Sequence, residues 1–254
     1  MAKKRDLRRE DVDDGEEALV EEPSWAIPLV VLGAVFILSL GFLAYYFRPT
    51  MGQLMGRAPA PSVESHPVEI VIAGQRYQIP ESFTRFAYAR RGGVQDKIEL
   101  HALLPDLAPY APDRAVEFED YGPDSQIVFI DIDSEKEKMP EADRFKRIYL
   151  RLVTDPEGRR ATSGLRRYDF DTSSSYKNED LYARINDDGT VIVFRCMKDA
   201  PDIVSPNCRR DTELANGLTL HYRFKRSHLG DWEDIDNRVG TLVKSFERPP
   251  KPAS

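Results

Sequence analysis

Twenty-three consecutive residues, Trp25–Phe47 (WAIPLVVLGAVFILSLGFLAYYF), carry no charged side chain. As a helix they rise roughly 34 Å, enough to cross the hydrocarbon core of a bilayer. A removable signal sequence would have an apolar stretch of about 7 to 15 residues, close behind a basic start and followed by a small-residue cleavage site. Here the stretch begins only at residue 25, and the nearest Ala-x-Ala, Ala58-Pro59-Ala60, has proline at its centre. The segment therefore reads as an uncleaved, single-pass membrane anchor. Trp25 at one end and Tyr45, Tyr46 and Phe47 at the other suit the two interfaces, where amphipathic rings settle.

Lys and Arg set the orientation of such a span. Lys3, Lys4, Arg5, Arg8 and Arg9 precede it, whereas Arg48 and Arg57 follow it closely. This bias predicts a cytoplasmic N-terminus and an extracytoplasmic C-terminal domain, the topology of a bacterial-type inner-membrane protein with a periplasmic domain. The expected organisation is a disordered cytoplasmic tail over 1–24, the anchor over 25–47 and a Pro/Gly/Ala-rich linker over 48–67. One soluble domain over 68–247 and a disordered tail over 248–254 complete it. The net charge of −7, with no long basic run, argues against a nucleic-acid partner, which requires concentrated positive potential.

Within 68–247 the pattern is mostly of strands. Val68–Ile72 and Gln75–Ile79 flank Ala73-Gly74 as a hairpin, and Lys97–Leu103 and Gln126–Asp133 read as two further strands. Pro140–Arg147 reads as a short helix running into a strand over Arg147–Val153. Leu165–Phe170 is a strand, and Leu181–Ile185 and Thr190–Cys196 form a hairpin. Asp211–Ala215, Asn216-Gly217 and Leu218–Lys225 form another. In this last strand Leu218, Leu220, Tyr222 and Phe224 share one face, and Thr219, His221, Arg223 and Lys225 the other. That alternation buries one side of an antiparallel sheet and wets the other. Leu229, Trp232, Ile235, Val239, Leu242, Val243 and Phe246 recur at helical spacing, with Ser227 placed as an N-cap. The expected class is α+β: a twisted antiparallel sheet with a C-terminal amphipathic helix packed on it.

The opening YQIPESF, with Tyr77, Ile79, Pro80 and Phe83, resembles the Mog1/PsbP-like group of α/β/α sandwich domains. The closing W-x-x-I…LV-x-SF, with Trp232, Ile235, Ser245 and Phe246, resembles it too. The likeness covers the two ends of the domain and rests on packing residues. It implies an α/β/α sandwich and a binding or assembly role.

Candidate chemistry is sparse. Cys196 and Cys208 enclose a short loop, which in an oxidising compartment predicts a disulfide. Asp131/Asp133 and Asp169/Asp171 each place two carboxylates on one strand face, where they could chelate a hard cation or act as acid and base. A solvated strand end is the alternative. Ser174-Ser175-Tyr176-Lys177 matches S-x-x-K in a polar loop without partner motifs. His66, His101, His221 and His228 lack zinc-ligand spacing, and no phosphate-binding glycine loop occurs. No cofactor is implied. Arg166, Arg209, Arg210, Arg223 and Lys225 could share an arginine-rich surface. The long segment 106–125 offers Tyr110, Phe118 and Tyr121 as partner anchors, unless they fold back on the core.

The sequence thus points to a non-enzymatic membrane-anchored interaction or assembly module with another envelope protein as partner. A membrane-tethered hydrolase using the paired carboxylates is the first alternative, and it requires both pairs in one pocket. A sensor of an unspecified small ligand is the second.

Overall fold

The computed structural model describes residues 25–46, 58–134, 139–201 and 203–249. The expected tail over 1–24, Phe47 of the expected anchor, residues 48–57 of the expected linker and residues 250–254 of the expected tail over 248–254 lie outside them. The chain divides into two units, 1–50 and 51–254. In the first, helix α1 (Ala26–Tyr46) is long and apolar enough to cross a membrane.

The second unit opens with β1 (Pro67–Ile72), β2 (Gln75–Pro80), β3 (Gly93–Val94), β4 (Lys97–Leu103) and β5 (Ile127–Asp133). Helix α2 follows, built from Glu141–Arg144, a π-helical turn over Phe145–Tyr149 and Leu150–Leu152. Next come β6 (Arg159–Arg160), β7 (Arg166–Asp169), β8 (Glu179–Ile185), β9 (Val191–Met197), β10 (Asn207–Glu213) and β11 (Thr219–Lys225). Helix α3 (Trp232–Phe246) and β12 (Glu247–Arg248) close the unit. The fold is mixed α+β, with an antiparallel sheet of eight strands in the order β4-β5-β11-β10-β9-β8-β7-β6. A smaller sheet has the order β12-β2-β1-β3.

Period-two alternation assigns the faces. Ile98, Leu100, Val128, Ile130, Ile132, Leu220, Tyr222 and Phe224 point to the inner face of the large sheet, where they meet Ile70, Ile72, Tyr77 and Ile79 of the small one. The apolar stripe of α3 closes this core. Trp232, Ile235, Val239, Val243 and Phe246 are buried in it, and the Trp232 ring lies 5.7 Å from Phe194. The helix has no side-chain N-cap. Ser227 precedes it in a 3-10 turn, and its hydroxyl donates instead to the Pro123 carbonyl at 2.9 Å.

The strand expected over Arg147–Val153 is helix. Ala142, Phe145, Tyr149 and Leu152 fall at helical spacing and pack on Tyr168, Phe170, Leu181, Ala183, Val191 and Val193, on the outer face of β7–β9. Alternation of Ile148, Leu150 and Leu152 imitates a strand, but burial of Phe145 and Tyr149 decides the matter. Helices therefore lie on both faces of the sheet around β8 and β9.

Glu141 explains how α2 is seated. Strands β9 and β10 pair only at Cys208↔Cys196 and Arg209↔Arg195, and then part. The Glu141 carboxylate fills the gap, accepting from the Val193 amide at 2.8 Å and from Arg210 Nε at 3.0 Å and Nη2 at 2.8 Å. Arg144 of the same helix donates to the Asp211 carbonyl at 2.6 Å. The helix thus supplies side-chain partners where a strand would have supplied a ladder. Beside the split, Cys196 and Cys208 are bonded, with sulfurs 1.95 Å apart.

Residues 58–67, within the expected linker, run along the domain. Ala60 donates its amide to Arg85 O at 2.9 Å and receives Arg90 Nη1 on its carbonyl at 2.8 Å.

Candidate functional site: a charged groove on the open face of the sheet

Strands β4, β5, β11 and β10 bury one face in the main core, while their other face carries mostly polar side chains. On the β9 side this outer face is bounded by α2. At the opposite corner the segment 106–125 straps across it, burying Leu103, Phe118 and Ile127 with His101. Between the two lies a groove of about 560 Å³.

Strand register arranges the groove in rows about 7 Å apart, the repeat of two residues. Glu99, Asp131, His221 and Asp211 stand in register across β4, β5, β11 and β10. The next row holds Phe129, Arg223, Arg209 and Arg195. A carboxylate row therefore lies beside a guanidinium row.

Asp211 is buried and links the two. Its carboxylate lies 2.6 Å from His221 Nδ1, 2.6 Å from Arg209 Nη2 and 3.2 Å from Arg195 Nη2. Burial alone would raise its pKa, but the His221 and Arg209 hydrogen bonds outweigh that and hold it well below the usual carboxylate range. Arg195 also pairs with Glu179 at 3.1 Å and lies over the Tyr176 ring at 5.2 Å. Lys97 sits 3.2 Å from Glu99 and 3.3 Å from Asp131. Asp131 is nevertheless raised above its ordinary pKa, because burial outweighs the lysine's attraction. His101 is lowered to about 4 by burial, with the charges of Arg85 and Arg90 adding to the effect.

Of the residues singled out in the sequence, Asp131, Asp133, Arg209 and Arg223 line this groove. Others lie elsewhere. Arg210 faces inward and is buried, bonded to Glu141 and Asp236, so it offers no surface. Arg166 lies on β7 and donates to the Glu157 and Gly158 carbonyls of a turn. Lys225 is buried and held below its ordinary pKa by desolvation, with Arg223 adding to it. Phe118 is buried and Tyr110 half-buried, their rings 5.2 Å apart, whereas Tyr121 is exposed.

The two carboxylate pairs do not converge. Four strands separate β5 from β7, and Asp169 points to the face opposite Asp131. Asp169 is paired with Arg159 and Arg167, and Asp171 caps a turn through the Ser173 amide at 2.8 Å. Ser174 is buried in the same turn, its Oγ accepting from the Tyr176 amide at 3.0 Å. Among the described residues no three His, Cys, Asp or Glu side chains gather as a metal-binding group.

Sequence reasoning missed Arg85, Glu99, Phe129 and Arg195. The last three were legible in principle, as odd-numbered residues of strands whose even-numbered residues are apolar. Arg85 was not, because it lies in the irregular segment between β2 and β3, which runs past the edge of β4, where its amide donates to Glu99 O at 3.2 Å.

No family model matches the chain, and no curated protein matches it. Two solved structures are similar in fold. One is an immunity protein of the Stenotrophomonas maltophilia type IV secretion system, at 15% identity and a TM-score of 0.54, covering 73% of this chain and 95% of that one. The other is an iron-regulated outer membrane lipoprotein of Neisseria meningitidis, at 16% identity and a TM-score of 0.48, covering 74% and 96%.

Proposed function

We propose that this chain is a single-pass, membrane-anchored protein whose extracytoplasmic domain binds another envelope protein through the charged groove, without catalysis. The observation that carries the reading is Asp211. A buried carboxylate engaged by one histidine and two arginines fixes those side chains in place, so the groove presents an ordered surface. A carboxylate acting directly on a substrate would instead keep a lone pair free for it. The anchor at 25–47, the basic residues before it and the disulfide all support a domain exposed to an oxidising compartment. The Stenotrophomonas maltophilia protein of similar fold is an immunity protein, which supports a binding role for this one.

Cross-linking in intact membranes tests the proposal. A photoreactive side chain at Asn207, which lines the groove, should capture one dominant envelope protein. The same side chain at exposed Glu233 on α3 should not. Equal capture from both positions, or self-links alone, would overturn the assignment to this face.

A further inference from the structure

Most cations of the groove are matched by carboxylates, but two are not. Arg85 Cζ and Arg223 Cζ each lie 4.6 Å from the centre of the Phe129 ring. Their separation is therefore no more than twice that distance. Among the described residues, neither guanidinium has an ion pair or a side-chain hydrogen bond, and Arg85 Cζ also lies 4.9 Å from the Phe86 ring centre. Arg223 is exposed and Arg85 half-buried. Phe129, itself half-buried, holds both planar groups by cation–π attraction and limits their rotamer freedom. The neighbouring groups register both charges: Arg85 helps to depress His101, and Arg223 helps to depress Lys225 and partly offsets the burial of Asp131. In a chain of net charge −7, such a spot is a local exception.

We infer that Arg85, Phe129 and Arg223 form a binding site for a carboxylate presented by the partner protein, an Asp or Glu side chain in an acidic segment. This rests on the proposed partner-binding role and names the chemistry by which the partner is recognised. Guanidinium forks match carboxylate and phosphate alike. The flanking row decides between them. Glu99, Asp131 and Asp211 lie one row away, about 7 Å along the strands, and repel a dianion or polyanion more than a single carboxylate. Met197 lines the groove and adds exposed apolar surface to it, and the Ser205 hydroxyl ties the disulfide loop to Gly122 O at 2.9 Å. A protein segment can use that edge, which an inorganic anion or a lipid headgroup cannot.

The test overlays the full-length chain, in nanodiscs, on hexapeptides that carry a central Glu, Gln or phosphoserine. Glu peptides should be retained and their Gln isosteres lost. R85Q and R223Q should each weaken retention about tenfold or more, as expected for loss of a charged hydrogen-bonding partner. R223K should restore part of it, and unchanged thermal unfolding of each variant excludes misfolding. Equal retention of Gln peptides, stronger retention of phosphoserine, or indifference to both Arg substitutions would overturn the inference. If Asn207 still captures an envelope partner while R85Q and R223Q leave that capture unchanged, the groove remains the docking face and only the carboxylate site fails. If Glu peptides bind through Arg223 but no partner is captured, the site stands and the partner-binding role fails.

Discussion

Replacing Arg210 by Met should destabilise the domain far more than an average substitution. The side chain is buried and bridges Glu141 on α2 and Asp236 on α3, on opposite sides of the sheet. Met approximates its aliphatic volume, so the main loss is electrostatic. Asp236 keeps the Tyr222 hydroxyl at 2.7 Å, but Glu141, itself buried, is left with the Val193 amide alone. Breaking a buried ion pair from one side costs about 3–5 kcal/mol. Removing both partners in R210M/E141L relieves the stranded charge and leaves an unpaired Val193 N–H, worth about 1–3 kcal/mol. The double variant should therefore be more stable than the R210M single. Urea unfolding of the full-length chain in detergent, followed by near-ultraviolet circular dichroism of buried Trp232, measures both. A cost below about 1 kcal/mol for R210M, or a double variant worse than the single, would refute the claim that α2 is locked into the split by this pair.

Reduction of the Cys196–Cys208 bridge, or C196A/C208A, should lower stability by about 2–3 kcal/mol, given a sequence separation of 12, and an unchanged urea midpoint would contradict this. His101 should give the domain an acid-sensitive limb. Its folded pKa of about 4 lies below the ordinary value of 6.5, so the unfolded chain takes up the proton first. Its contribution is complete above about pH 6.5 and is lost as pH falls toward 4, by roughly 3 kcal/mol in all. The difference in stability between wild type and H101F should change across that window, and a flat difference would exclude His101 as the cause. G158A should cost about 1–3 kcal/mol, because Gly158 has φ +60° and a Cβ there would lie 2.7 Å from Tyr168 Cε1. A neutral result in thermal unfolding would show that this turn yields.

Legibility followed periodicity. The Leu218–Phe224 alternation and the α3 stripe each encode burial on one face at a fixed spacing, and both are realised. The Ala73-Gly74 turn was legible from the alternating runs on either side of it, although positive φ at Ala73 was not. Failures arose where partners are distant in sequence. Residues 147–153 satisfy a strand pattern and a helix pattern at once, and only Tyr168, Phe170 and Leu181 choose between them. Arg210 was grouped with Arg209 and Arg223 by composition, yet strand parity sends it to the opposite face. The groove itself could not be seen, because it depends on β5 lying beside β11, a pairing between elements nearly ninety residues apart.

The two faces of the same strands explain why the groove suits binding. On the inner face apolar side chains supply the stability, through packing against the small sheet and α3. That leaves the groove between α2 and segment 106–125 with little apolar packing to supply. Exposed charge pairs contribute little to stability, so a merely solvated face has no reason to order its arginines. Here Asp211 orders Arg209 and Arg195, and Phe129 orders Arg85 and Arg223. The conformational cost of fixing four long side chains falls on folding, and a partner that meets them need not bear it again. D211N should cost stability, because it removes a buried carboxylate paired with His221, Arg209 and Arg195. At temperatures well below its unfolding transition it should weaken partner capture at Asn207 by loosening two arginines at once. Capture unchanged in D211N would break the link between this ordered network and binding.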